Sequence, residues 1–355
     1  SQVFGWTDGR TVRILPIDSS HRILGMPFGL EGRTLWFVER ERSQGGVGLD
    51  LVVSDGTVGG TTVVGAAADL SGPASSFAVV GAAEAGADRW VYLVRRERPV
   101  GVYLTSPLMT TDGTAEGTRE FARLPIESDE VATDLLVEQG QVYLWLASLR
   151  GSRLWTSMGT SESTREIARF EVGSGGLVAA GESLFFVASE DTHGRELWAV
   201  DKATAETRLV ADLAAGGASS DPILVGALGE RLIFTADDRR NGRELWTSDG
   251  TAAGTQRIDL RPSPRESAPF PFTRVGERLV FAADDGVHGL EPWISDGTPK
   301  GTHLLVDVEP GVAPSNPSGF VVAPSEDGDQ LYFQASREPS GAELWRLPIT
   351  ELDRR

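Results

Sequence analysis

Short runs of alternating apolar and polar residues dominate the chain. In "RLVFAADD" (278–285), Leu279 and Phe281 fall on one face of an extended segment, the period-two pattern of a strand. Before it, "APFPFTRV" is extended and apolar. After it, "GLEPWISDG" follows a glycine-containing loop and "THLLVDV" alternates again. Gly, Asp or Pro bounds each run, so residues 268–308 predict four short strands. The second of these strands recurs as "RLIFTAD", "SLFFVAS" and "QLYFQAS". Only "SDEVATDLLVEQ" (128–139) has a briefly helical pattern, and its second half keeps strand register.

The strands belong to a repeat. "RNGRELWTSDGTAAGT" (240–255) is followed 47 residues later by "VHGLEPWISDGTPKGT". The motif's Asp, or its equivalent, falls at Asp8, Asp55, Asp112, Met158, Asp201, Asp249 and Asp296, with a partial last copy placing Pro348 there. Four antiparallel strands recurring every 40–50 residues or so are the signature of a propeller blade. Sets of three strands begin near residues 22, 77, 132, 175, 221, 268 and 317. The last set has no good fourth strand, and the N-terminal "RTVRILPID" is a strand without a blade. The expected fold is all-β: a seven-bladed β-propeller of four-stranded antiparallel blades, one domain over residues 1–355. Residues 1–18 are expected to complete the last blade, because an unpaired sheet edge invites aggregation.

Turn chemistry accounts for the motif's polar part. Gly250 and Gly297 accept positive φ cheaply, and the Asp249 and Asp296 carboxylates can accept N–H bonds within the turn. Trp155, Trp198, Trp246, Trp293 and Trp345 share one third-strand position, with Val52 and Met109 in the first two copies. That substitution fits packing between blades better than a sugar-stacking platform. His193 and His288 sit in matching loops where Asn241 stands in a third, which fits loop hydrogen bonding rather than metal or catalytic work. No nucleophile–base motif or metal-binding motif appears, and the chain has no Cys.

The segments "GRELWTSDGTAAGT", "GLEPWISDGTPKGT", "GRELWAVD" and "GAELW" resemble the bacterial ELWxxDGT repeat family. The likeness is close over 221–308, partial in the fourth and seventh copies and worn in the first three. Met158 replaces the Asp, and Lys202 and Ala203 replace Gly-Thr, which puts those two turns in question. The resemblance implies a propeller from an exported or surface-associated bacterial protein, so a secreted, periplasmic or cell-surface location. It implies no single activity.

Charge narrows the partners. A formal net charge of −18 excludes the basic footprint that nucleic acid requires. No apolar run is long enough for a membrane helix, so membrane insertion is not expected. The first residues, "SQVFGW", lack Met, and something is expected to precede them. Carboxylates recur after the fourth strand (Asp18, Asp69, Asp212, Asp259, Asp307) and at the loop between second and third strands (Asp50, Glu196, Glu244, Glu291, Glu343). Two per blade on one face would focus a negative potential able to take a hard cation, Ca²⁺, or a basic partner. Arg95, Arg96 and Arg98 form a basic island in a lengthened second-blade loop, "RRERPVGVYLTSPLM" (95–109), a candidate partner contact. The resulting expectation is a monomeric, non-enzymatic binding scaffold that presents one face to a protein or glycan. Its alternatives are a hydrolase or lyase with an acidic site in the axial funnel, and a Ca²⁺-dependent structural surface protein.

Overall fold

A computed structural model describes residues 5–7, 12–14, 21–30, 33–41, 47–57, 59–67, 76–84, 89–97, 104–126, 129–261, 265–326 and 328–352. The described residues are almost entirely strand and turn, with one turn of helix at Ile349–Leu352. Beside a two-stranded hairpin at the N-terminus, they form seven antiparallel sheets of three or four strands, each a meander in which neighbours in sequence are neighbours in space. Sheets 1 to 6, starting at His21, Ser76, Val131, Val172, Ile223 and Phe272, have four strands each. Sheet 7 has three: Ser318–Ala323, Gln330–Arg337 and Gly341–Pro348. The segment 128–139 with a briefly helical pattern is strand over Val131–Glu138.

Among the described residues, Val12–Ile14 pairs with Gly5–Thr7 in a two-stranded hairpin. Pairing between segments so near in sequence costs little loop entropy. The outer strand of sheet 7, Gly341–Pro348, is bare. Leu344 is 75% exposed, whereas its counterparts Leu197 and Leu245 are fully buried.

The chain divides into two compact units, residues 1–169 with sheets 1 to 3 and residues 170–355 with sheets 4 to 7. In each, the core lies between successive sheets. Within sheet 5, Leu232, Phe234 and Trp246 pack with Phe185 and Leu197 of sheet 4. Ile233 and Leu245 pack on the other side with Leu279, Phe281 and Trp293 of sheet 6. Both faces of an inner sheet are therefore buried, and alternation along a strand selects one neighbouring sheet or the other, not core or water. In the first unit, Leu51 and Tyr92 join sheets 1 and 2, and Leu93 and Leu144 join sheets 2 and 3.

The Asp-Gly-Thr turn between third and fourth strands is a fixed network. In sheet 5, Asp249 Oδ1 accepts from Thr251 N at 2.9 Å and Thr251 Oγ1 at 2.8 Å. Thr251 Oγ1 accepts from Gly254 N at 2.9 Å, and Ser248 and Thr255 share a hydroxyl bond of 2.8 Å. Sheets 1, 2 and 6 repeat the network at Asp55, Asp112 and Asp296. The carboxylate occupies the space a side chain at the second Gly would need, since a Cβ on Gly254 would lie 2.0 Å from Asp249 Oδ2. Asp and that Gly are thus chosen together.

Candidate functional site

The third-strand glutamates are buried clasps between sheets and do not form a surface ring. Glu196, Glu244 and Glu291 have no solvent exposure. Each reaches the linker to the next sheet, where one serine donates twice. Ser267 gives its N–H to Glu244 Oε1 at 3.0 Å and its hydroxyl to Oε2 at 2.7 Å. Ser220 does the same for Glu196 at 3.0 and 2.5 Å, and Ser315 for Glu291 at 3.0 and 2.7 Å. The serine carbonyls then accept from Asp284, Asp237 and Ser336, the ends of the next sheets' second strands. Each serine opens a Ser-x-Pro triplet whose middle residue is left-handed: Asp221 at φ 46°, Ala268 at 45° and Asn316 at 51°. The preceding Gly242 lets the linker pass, because a Cβ there would meet Glu266 backbone N at 2.8 Å. Burial pushes the pKa of all three glutamates up, Glu244 to about 7, against the opposing pull of the serine and backbone donors.

Divergent copies rewrite the clasp. In sheet 1 the equivalent Asp50 is buried against Arg40, 2.6 Å away. Sheet 3 reverses the charge: buried Arg153 pairs with buried Glu130 and donates to Pro125 O of sheet 2 at 2.8 Å.

The remaining expected site residues scatter. Asp212, Asp259 and Asp307 are exposed: Asp212 accepts from Gly216 N, and Asp259 pairs with Arg257. Glu343 is exposed on the bare strand of sheet 7. Asp18 and Asp69 lie outside the described residues. In sheets 4, 5 and 6 the glutamate of each expected pair is thus spent inside the fold and only the aspartate faces solvent. Among the described residues no group of three or more His, Asp and Glu is placed to hold an ion. Trp155, Trp198, Trp246 and Trp293 are at most 9% exposed, which leaves them no open ring face for a sugar, and Trp345 is partly buried against the sheet 6–7 core. His288 caps its loop through Asp285, as Asn241 does through Asp238. Arg95 and Arg96 belong to the strand Trp90–Glu97, opposite Ala78 and Phe77, rather than to a loop; their side chains and Arg98 lie outside the described residues.

A cleft in the first unit passed unrecognised in the sequence. It lies between sheets 2 and 3, encloses about 460 Å³, and has Val91, Phe121, Val137 and Val142 as apolar walls. Arg89 and Arg119 stand beside it with Thr110, and the turn at Met158–Ser161 closes one side. That turn survives its lost Asp. Ser163 replaces the second Gly, and its hydroxyl accepts from Met158 N at 3.0 Å and Thr160 N at 3.2 Å, the work the carboxylate does elsewhere. Met158 is released, 59% exposed, to line the cleft. The other altered turn differs in kind: Asp201 Oδ1 accepts from Ala203 N and Thr204 N, and Ala205 takes the left-handed position at φ 58°. The signal for the cleft was the worn third copy, "RLWTSMGTSEST", in which Met and Ser replace Asp and Gly together.

No family model matches the chain, and no curated protein does. Among solved structures, it is similar to a prolyl endopeptidase at 13% identity and a TM-score of 0.48, over 93% of this chain and 48% of that one. The prolyl oligopeptidase B of Galerina marginata follows at 11% and 0.47, over 93% and 49%. The β-propeller domain of the trilobed protease of Pyrococcus furiosus, described as having an open velcro topology, gives 8% and 0.43, over 93% and 94%. The chain thus spans about half the length of the first two. The similar solved structures are peptidases or a peptidase's propeller domain, and the expectation of a non-enzymatic scaffold for a protein or glycan is not carried forward.

Proposed function

We propose that the chain is a peptidase-related propeller module that receives part of a peptide in the cleft between sheets 2 and 3 and presents it to a hydrolytic unit of the same protein. The observation that carries this reading is the cleft itself. It is preformed, its walls are apolar, and its margin offers guanidinium and hydroxyl groups, the mixture that small-ligand sites use to bind and orient. The test is titration of the chain with N-acetylated apolar tripeptides, followed by calorimetry. Saturable binding is expected, and Ser161→Trp, which fills the cleft from an exposed position, should abolish it while the melting temperature holds. Binding indifferent to Ser161→Trp would place the peptide elsewhere and defeat the reading.

In the same reading the seven sheets are the blades of one seven-bladed propeller, and residues 1–18 cover the open edge of sheet 7. The bare Leu344 supports this, being an apolar side chain whose counterparts are all enclosed. Deleting residues 1–18 should then lower the melting temperature and promote aggregation through the exposed edge. A truncated chain that stays monodisperse and melts unchanged would exclude closure by this segment.

A further inference from the structure

Register identifies what makes the sheet 2–3 cleft different. In sheet 4 the third and fourth strands pair Ala199 with Arg208, and Ser183 opens the second strand. There Arg208 closes the gap to sheet 5: its guanidinium donates to Gly250 O at 3.2 Å and to Ser183 Oγ at 3.3 Å. The equivalents in sheet 2 are Thr110 for Ala199, Arg119 for Arg208 and Arg89 for Ser183. The serine that would accept from the arginine is thus itself an arginine. Two like charges cannot close the gap, and the cleft remains.

Three further features face the same space. Thr110 is 6% exposed, and its Oγ1 has no hydrogen-bond partner, although sheet 4 places an alanine there at no cost. A buried hydroxyl without a partner is expensive unless something else satisfies it. Neither Arg89 nor Arg119 makes an ion pair within 4 Å among the described residues, although Arg89 stands near enough to Asp112 to help Thr114 hold its carboxyl below the usual range. Glu120, also on the margin, is taken by Arg123 at 2.5 Å, and the nearby Asp112 is held by its own turn through Thr114. Finally, Met158 stands where sheet 5 has Asp249, whose carboxylate sits 3.8 Å from Arg231. The exchange removes a negative charge from the margin and adds an apolar wall.

We propose that Arg89, Arg119 and the Thr110 hydroxyl form a binding site for a carboxylate attached to an apolar group, namely the C-terminal carboxylate of a peptide whose last side chain lies against Val91, Val137 and Met158. This deepens the peptide reading and rests on it. The paired guanidiniums supply fork-shaped donors matched to a carboxylate, and the hydroxyl supplies a third. On a chain of net charge −18, a local cationic site also selects for the ligand's charged end over the acidic surroundings.

The experiment compares N-acetyl-alanyl-leucine as the free acid, the same dipeptide as its C-terminal amide, and inorganic phosphate, by calorimetry on the full chain. The acid is expected to bind at least about tenfold more tightly than the amide, a difference that Arg119→Gln or Arg89→Gln should erase by weakening the acid alone. Thr110→Val should weaken the acid and leave melting unchanged or improved, since it removes an unpaired buried hydroxyl. Equal binding of acid and amide, both lost in Ser161→Trp, would keep the peptide reading and overturn the carboxylate site. Phosphate binding as tight as the acid would overturn it too, showing a plain anion site. Failure of all three ligands would overturn both readings. Unchanged melting in both arginine variants ensures that lost binding reports the site and not the fold.

Discussion

At the residue scale, the chain shows how a motif can lose its signature and keep its geometry. The Asp of the Asp-Gly-Thr turn and the Gly five residues later share one volume, so neither changes alone without a different turn, as in sheet 4, where Asp201 is kept, Glu206 stands in the Gly position and Ala205 turns left-handed. Sheet 3 changed both, and the Ser163 hydroxyl now satisfies the N–H groups of Met158 and Thr160. Restoring one partner at a time should therefore be costly. Met158→Asp alone drives a carboxylate into the Ser163 side chain and should destabilise the first unit by about 1–3 kcal/mol, the usual range for overpacking. Ser163→Gly alone strands two donors, a loss of about 1 kcal/mol. The double variant rebuilds the turn of sheets 1, 2, 5 and 6 and should recover most of the loss. Urea denaturation of all four proteins gives the coupling energy, and simple additivity would show that the two positions do not share a volume.

At the scale of elements, strand content and the number of sheets were legible because their signal is local. Period-two runs such as "RLIFTAD" need only their own residues to declare a strand, and a repeat declares itself by recurrence. The clasps were not legible, because alternation separates core from surface only in a sheet with one face in water. In a sheet buried on both faces it does not, so Glu244, two positions before Trp246, looked like a surface carboxylate and is fully enclosed. Its partner stands 23 residues on, across a linker, in a triplet whose signal is slight: "SDP", "SAP" and "SNP". The near pairing of Val12–Ile14 with Gly5–Thr7 carried no such signal, since a run of three residues shows no period of its own. The cleft showed in the sequence only as wear, and it needed strand register to reveal that Arg89 occupies the place of Ser183.

At the scale of the molecule, the clasps and the turns oppose each other in pH. The turn aspartates Asp55, Asp112 and Asp249 are held below the usual carboxylate range by their Thr57, Thr114 and Thr251 donors, so their contribution is present above that range and lost as pH falls through their lowered values. The clasp glutamates do the reverse. Burial favours their neutral form in the fold, so their contribution is full below the ordinary glutamate value and is lost as pH rises, through about 7 for Glu244. Stability should thus peak in mildly acidic solution. Glu244→Gln keeps the shape and removes the titration. Relative to wild type, its melting temperature should rise steadily from about pH 5 to about pH 8 as the native carboxylate ionises. Ser267→Ala supplies the opposite check. It removes a donor that favours the charged form, so Glu244 should titrate still higher and the decline should extend to more alkaline solution. Wild type and Glu244→Gln melting in parallel across that range would mean that the serine and backbone donors fully compensate burial and that the clasp is ionised throughout.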